Sequence, residues 1–272
     1  NDLGMKLMNS EKIEFHNKRT DIKYDWILNL SEFKNYDDDS GLIFGPQMMF
    51  PAINTSEIPK HRKYVCNVLS QWVYELCLEI NPDVNFTKLP FAVDVDRFKP
   101  SEKTGKPIIY FKQRDPKILD SVLSKLGRDF LIFENSGNYQ VKTYDELVFQ
   151  KSIASAPFAI WIGRHESQGF AFQETLSSDT PIFVIDAKSL RDEFASNSFW
   201  TTYLPNHELK SSAASYFDER CGLISDFENW KIDWDKFVSN LHNYKPREYV
   251  LDNLSPTACI ELWYKTLNDI KQ

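Results

Sequence analysis

Glu166 and Glu174 stand eight residues apart in the stretch Arg164-His-Glu-Ser-Gln-Gly-Phe-Ala-Phe-Gln-Glu174. An apolar, strand-like run precedes it (Phe158-Ala-Ile-Trp-Ile162) and a second follows (Pro181-Ile-Phe-Val-Ile185). A short helix between two buried strands, entered through a loop of Ser167, Gln168 and Gly169, is how α/β sheets build ligand crevices at their carboxyl edge. The spacing predicts a helix from about Gln168 to Ser177, along which eight residues span roughly 12 Å and rotate about 80°. Two carboxylates set that way could hold the two ends of a ligand as long as a sugar joined to a nucleotide. Glu166 would sit at the loop end and Glu174 two turns deeper. The competing reading, two solvated helix glutamates, is disfavoured by the Ser-Gln-Gly entrance and the bracketing strands.

A second constellation is cationic. In Lys112-Gln-Arg114-Asp-Pro-Lys117, three cations fall within six residues at a turn between a strand and a helix. Free N–H groups and the helix dipole favour an anion at such a start. Arg offers a planar fork for phosphate oxygens and Lys a point charge. A solvated basic turn is the alternative, and the glutamate pair on the same sheet edge tips the reading towards an anion site. Gly45-Pro46, after an earlier strand, could bring backbone close to a ligand across a cleft; a plain turn fits as well. Asp37-Asp38-Asp39 could ligate a divalent cation, yet nothing beside it resembles a phosphate site, so no metal is expected. The five histidines lack metal-ligand spacing, and only His165 lies near the proposed chemistry. There is no Gly-x-Ser-x-Gly elbow and no P-loop.

These residues need a scaffold, and the chain reads as one. Trp26–Leu30 and Gly41–Gly45 are strand candidates in a small first unit, and apolar residues from Val65 to Ile80 recur at helical spacing. An extended segment, Thr87 to Pro100, carries prolines near both ends, and Gly105 and Pro107 mark the passage to a second unit. There, Pro107–Lys112 is a buried strand, and Asp115 caps a helix that begins at Pro116 and ends at Gly127. Phe130–Phe133 is the next strand. Thr143-Tyr-Asp-Glu146 reads as a capping box opening another helix. Alternating strands and helices imply a parallel sheet with right-handed crossovers. Ser255-Pro256 starts a final helix.

Composition narrows the function. The chain has 272 residues, with 32 basic and 39 acidic side chains giving a net charge of −7. That balance argues against broad nucleic-acid binding, so an anionic ligand must meet a local positive site. No apolar run is long enough to span a membrane, and the first residues lack a signal-peptide core. Four scattered cysteines form neither a CxxC pair nor a disulfide framework, as expected of reduced thiols and a cytoplasmic location. Position 1 is Asn rather than Met, as in a piece of a longer, multidomain chain.

Glu166-Ser-Gln-Gly-Phe-Ala-Phe-Gln-Glu174 resembles the Glu-x7-Glu motif of GT-B glycosyltransferases of the family 1 and 4 type. Leu89-Pro-Phe-Ala-Val-Asp-Val-Asp-Arg-Phe-Lys-Pro100 looks like the linker by which those enzymes enter their donor domain, and Ser70-Gln-Trp72 is similar to the Ser-x-Trp ahead of it. The short first unit is similar to compact glycosyltransferases of large algal DNA viruses. The resemblance implies an α/β fold of two facing Rossmann-like units with parallel sheets, the first one reduced. Residues 1–97 would form an acceptor-side domain, 98–250 a nucleotide-sugar donor domain, and 251–272 a helix packing back on the first. The implied activity moves a sugar from a nucleotide-sugar, UDP-linked, to a carbohydrate hydroxyl without a metal or other cofactor. Glu166 would contact the donor sugar and Glu174 the ribose. The backbone at Ser167, Gln168, Gly169 and Phe170 would approach sugar and phosphate, and Lys112, Arg114 and Lys117 would neutralise the diphosphate. The family's usual Gly-Arg before a Lys five residues later is replaced by Lys112 and Lys117 with Arg114 between them. Gly137 would lie by the base, Gly45 and Pro46 on the acceptor side, and Asp38 is one candidate general base beside Glu32, Asp37 and His61. The alternative is a non-catalytic nucleotide-sugar or glycan-binding module of a larger protein.

Overall fold

The structure is a computed structural model that describes residues 26–29, 41–45, 64–135, 143–192 and 208–271. Two all-parallel sheets organise it. The first has the order β1 (Trp26–Asn29), β2 (Gly41–Phe44), β3 (Tyr64–Val68), β4 (Phe86–Lys88). Helix α1 (Gln71–Ile80) packs on it through Val73 and Cys77, which join Phe44, Cys66, Val68 and Phe86 in one core.

The helical spacing from Val65 misled. Tyr64–Val68 is a strand, paired in parallel with β2 and β4, and the helix begins only at Gln71, after Ser70 in extended conformation. Val65, Cys66, Asn67 and Val68 are all buried. A parallel strand covered on both faces is apolar throughout and carries no alternation to distinguish it from a buried helix.

The second sheet has the order β6 (Leu131–Asn135), β5 (Ile108–Lys112), β7 (Ala159–Ile162), β8 (Ile182–Ile185), β9 (Gly222–Ser225). Its side chains alternate between two cores. Ile108, Tyr110, Ala159 and Trp161 face α3 (Glu146–Ser155), α4 (Phe170–Ser177) and α6 (Pro246–Asn253). Ile109, Phe111, Ile160 and Phe183 face α2 (Pro116–Leu126) and α5 (Trp230–Ser239). Helix α7 (Pro256–Lys271) closes the chain. The sheet thus has helices on both faces, and the connections leave β5 in one direction to β6 and return on its other side to β7. That reversal, between the carboxyl ends of β5 and β7, is the switch point where such sheets open a crevice.

Two local expectations need correction. Helix α3 starts at Glu146, and its cap is Asp145, whose carboxylate accepts from Leu147 N (2.7 Å) and Val148 N (3.0 Å). Thr143, expected to cap it, donates its hydroxyl to the Glu134 carbonyl instead. Helix α4 begins at Phe170, with Gly169 at its cap in the left-handed region (φ 76°). The helix thus starts two residues later than Gln168; Glu166 lies in the loop before it, as expected, and Glu174 one turn beyond Phe170.

The linker from Leu89 to Pro100 has no regular secondary structure beyond a turn at 95–97, closed by Phe98 N–H on the Asp94 carbonyl (2.9 Å), so most of its backbone groups need partners from elsewhere. Asn67 bonds both the N–H (2.8 Å) and the carbonyl (3.1 Å) of Leu89. Arg247 donates to the carbonyls of Val95, Phe98 and Ser177. These clamps fix the segment that joins the two sheets.

Candidate active site

A cleft of about 370 Å³ opens at the switch point. Lys112, at the carboxyl end of β5, and Glu166, in the loop after β7, form an ion pair within it, both largely sheltered from solvent. The backbone of Glu166 is held on both sides. Its N–H donates to the Ser212 carbonyl (3.0 Å), and its own carbonyl accepts from Trp72 Nε1 (2.9 Å) and from the Ser215 hydroxyl. The segment carrying Ser212 and Ser215 is thus the brace that sets Glu166.

Ser167, Gln168, Gly169, Phe170 and Glu174 line the same cleft. Gln168 is buried and spends its amide on structure. Its Oε1 accepts from Phe91 N (3.0 Å), while Nε2 donates to Phe91 O (3.1 Å) and to Gln173 Oε1 (2.7 Å). The ring of Phe91 then meets that of Phe170 at 5.8 Å, and both are substantially exposed. Helix α4 has no side-chain cap, so its first N–H groups and the positive end of its dipole face the cleft.

The cation turn is only partly as expected. Arg114 does not serve the cleft: it is 4 % exposed, and its guanidinium donates to the carbonyls of Gly163 (2.9 Å), Ile185 (3.1 Å) and Asp186 (3.1 Å). It ties the ends of β7 and β8 together, because those carbonyls lie beyond Trp161 and Val184, the last pair joining these two strands, and a rigid fork reaches all three. Lys117 is exposed on the first turn of α2 and does not line the cleft, and the start of α2 is occupied by Asp115, whose carboxylate accepts from Lys117 N (3.0 Å). The uncapped helix facing the cleft is α4, not α2. Removing the Arg114 fork should leave buried carbonyls unpaired, so Arg114→Met should lose about 3 kcal/mol of stability. Thermal unfolding checks this; an unchanged midpoint with lost nucleotide binding would restore a donor role for Arg114.

Arg164, Arg97, Tyr144 and Tyr110 also line the cleft and were not anticipated; Asn135, two positions before Gly137, lines it too. The position of Arg164, immediately after an apolar strand at the same sheet edge, was an available signal. So was the period-two relation that puts Tyr110 on the face of Lys112. Burial, with Tyr144 and Glu166 nearby, pushes the Tyr110 phenol well above its ordinary range, so it stays protonated.

His165 is buried edge-on against the Trp72 ring (5.5 Å, 78°). Burial, and then the charges of Arg164 and Lys112, push its pKa down to about 3. An unfolded histidine titrates near 6.5, so between those values the unfolded chain binds the extra proton. Its contribution to stability is complete above about pH 6.5 and falls as pH drops towards 3. The unfolding midpoint should therefore decline between pH 6.5 and 4, and His165→Gln should flatten that decline; parallel pH profiles for the two proteins would show that other groups cause it.

Gly45 ends β2 with φ 109° and is absent from the cleft lining. Asp38, Pro46 and Gly137 lie outside the described residues, as do Glu32, Asp37 and His61. Among the described residues no group of three or more His, Cys, Asp or Glu side chains could hold a metal ion, and no helix is long and apolar enough to cross a membrane. Cys66, Cys77, Cys221 and Cys259 are free and buried.

No protein-family model matches the sequence, and no curated protein sequence matches it. Solved structures do. Sucrose-phosphate synthase from Thermosynechococcus elongatus superposes with a TM-score of 0.55 at 10% identity, covering 90% of this chain and 74% of its own. A Staphylococcus aureus TarM point mutant, solved with fondaparinux, α-GlcNAc-glycerol and UDP, gives 0.52 at 13% identity, covering 84% of this chain. This chain spans 55% of the TarM chain. AviGT4, a glycosyltransferase of avilamycin A biosynthesis, gives 0.49 at 11% identity, with 88% and 75% covered. Two parallel Rossmann-like sheets, with a crevice at the switch point of the second, define the GT-B fold of glycosyltransferases, and this chain has it.

Proposed function

We propose that the chain is a glycosyltransferase that moves a sugar from a nucleotide-sugar, UDP-linked, to a carbohydrate hydroxyl. The observation that carries the reading is the Lys112–Glu166 pair set beside the uncapped start of α4 at the sheet's switch point. A diphosphate leaving group gains charge as the glycosidic bond breaks. A fixed ammonium and oriented backbone N–H groups stabilise that charge without a metal. In this reading Glu174, one turn along α4, meets the ribose hydroxyls, and Glu166 the transferred sugar. Residues 98–250 hold the donor in this reading, 1–97 face the acceptor, and α7, within 251–272, packs back on the first unit. UDP in the TarM structure supports a uridine nucleotide. Release of UDP from a panel of UDP-sugars, followed by a luminescent UDP assay with and without carbohydrate acceptors, tests it. Silence with every donor, together with measurable UDP binding, would make the chain a nucleotide-sugar-binding module instead.

A further inference from the structure

Asp186 follows the last residue of β8, at the carboxyl edge of the second sheet, and does not line the cleft. Its carboxylate accepts from the N–H of Ala187 (2.9 Å). It also accepts from a segment 26 and 27 positions further on, through the Ser212 hydroxyl (3.0 Å) and the Ala213 N–H (2.7 Å). Burial pushes its pKa up in spite of these donors, so the ionised group is held there at some cost. The proposed transfer makes no direct use of it.

What Asp186 holds is the brace on Glu166. Ser212, whose hydroxyl meets the Asp186 carboxylate, gives its own carbonyl to the Glu166 N–H (3.0 Å), and Ser215 donates to the Glu166 carbonyl. The Ser212 hydroxyl also accepts from Ala214 N (3.0 Å), so the turn gathers around one oxygen. Asp186 is itself pinned, because its backbone carbonyl accepts from the buried Arg114 (3.1 Å). Glu166 lies between β7 and α4, where neither a ladder nor a helix fixes its backbone. Contacts from outside the loop therefore decide where its side chain starts.

We propose that Asp186 is a positioning residue for Glu166: through Ser212 and Ala213 it fixes the segment that aims the acid at the transferred sugar. This rests on the glycosyltransferase reading above, in which Glu166 meets that sugar. Displacing a reacting group by about 1 Å can cost on the order of 10²-fold in rate, so a side chain that touches no substrate can still govern turnover. Ser211 is fastened separately, its N–H to Lys188 O (3.0 Å) and its hydroxyl to Ala187 O (2.9 Å). Losing the Asp186 carboxylate thus frees Ser212 and Ala213 without detaching their segment.

Asp186→Ala should lower kcat for UDP release from UDP-sugars by roughly 10- to 100-fold. Calorimetric UDP affinity should stay nearly unchanged, because Asp186 touches none of the groups assigned to the nucleotide. Asp186→Asn keeps the size and one acceptor oxygen, so it should fold even where the alanine variant does not, with a smaller loss of the same kind. The decisive comparison places each change in the Glu166→Gln background. There it should cost almost nothing more, since the charge it would misplace is already gone. Equal fold losses in the two backgrounds, or UDP affinity falling in step with kcat, would assign Asp186 to general structure and overturn the proposal. Unchanged kcat in the wild-type background would overturn it as well. A wild type that releases no UDP from any UDP-sugar overturns the glycosyltransferase reading and this inference together, and is recognised before any substitution is made.

Discussion

Lys112→Met should lower turnover with UDP-sugars by roughly 10²- to 10³-fold while the protein remains folded. Lys112 lines the cleft, and its ammonium is held by Glu166 on a strand end. A protein of net charge −7 offers a diphosphate little long-range attraction, so local cations must supply it. Positioned on β5, the ammonium needs no reorganisation as charge develops on the departing phosphate. Removing it also leaves Glu166 without its partner, so the loss in kcat should exceed the loss in UDP affinity. Lys112→Arg should recover only part of the rate, because a forked guanidinium cannot keep the same single contact. Initial rates of UDP release, with calorimetric UDP binding alongside, read the effect. Turnover within a few-fold of wild type would remove Lys112 from the chemistry.

The two glutamates should separate binding from turnover. Glu174→Ala should weaken UDP binding roughly tenfold, as expected for a lost hydrogen bond to a ribose hydroxyl with its acceptor removed. Glu166→Gln should leave UDP affinity nearly unchanged and lower kcat by roughly 10²-fold, since it keeps the shape and loses the charge. The division follows from placement: Glu174 sits along α4, and Glu166 faces Lys112 in the preceding loop. Glu166 and Lys112 are in contact, so the double variant should be less impaired than the product of the single losses. Unchanged UDP affinity in Glu174→Ala would refute the assignment of that residue to the nucleotide.

What could be read from the sequence, and what could not, has a physical pattern. Strands β5 to β8 of the second sheet were legible because they are short apolar runs separated by helices with visible caps, such as Asp115, Pro116 and Gly127; β9 (Gly222–Ser225), with a half-exposed, mixed pattern, was not. The loop at Glu166 and Ser167 was legible because polar residues and a glycine interrupt two buried strands, although the helix expected from about Gln168 starts at Phe170. Arg114 was misread because a cation in a turn looks the same whether it meets a ligand or three carbonyls. Those carbonyls belong to Gly163, Ile185 and Asp186, far along the chain, and no local pattern encodes that meeting. Gln168 posed the same problem, since its partner Phe91 lies 77 positions away.

The bond from Trp72 to the Glu166 carbonyl has a mechanical consequence. Trp72 belongs to α1 on the first sheet, while Glu166 belongs to the second. Were the two sheets to swing apart or together, the tether would drag the acid along. The acid beside Lys112 would then follow the angle between the halves of the molecule, and the shape of the cleft with it.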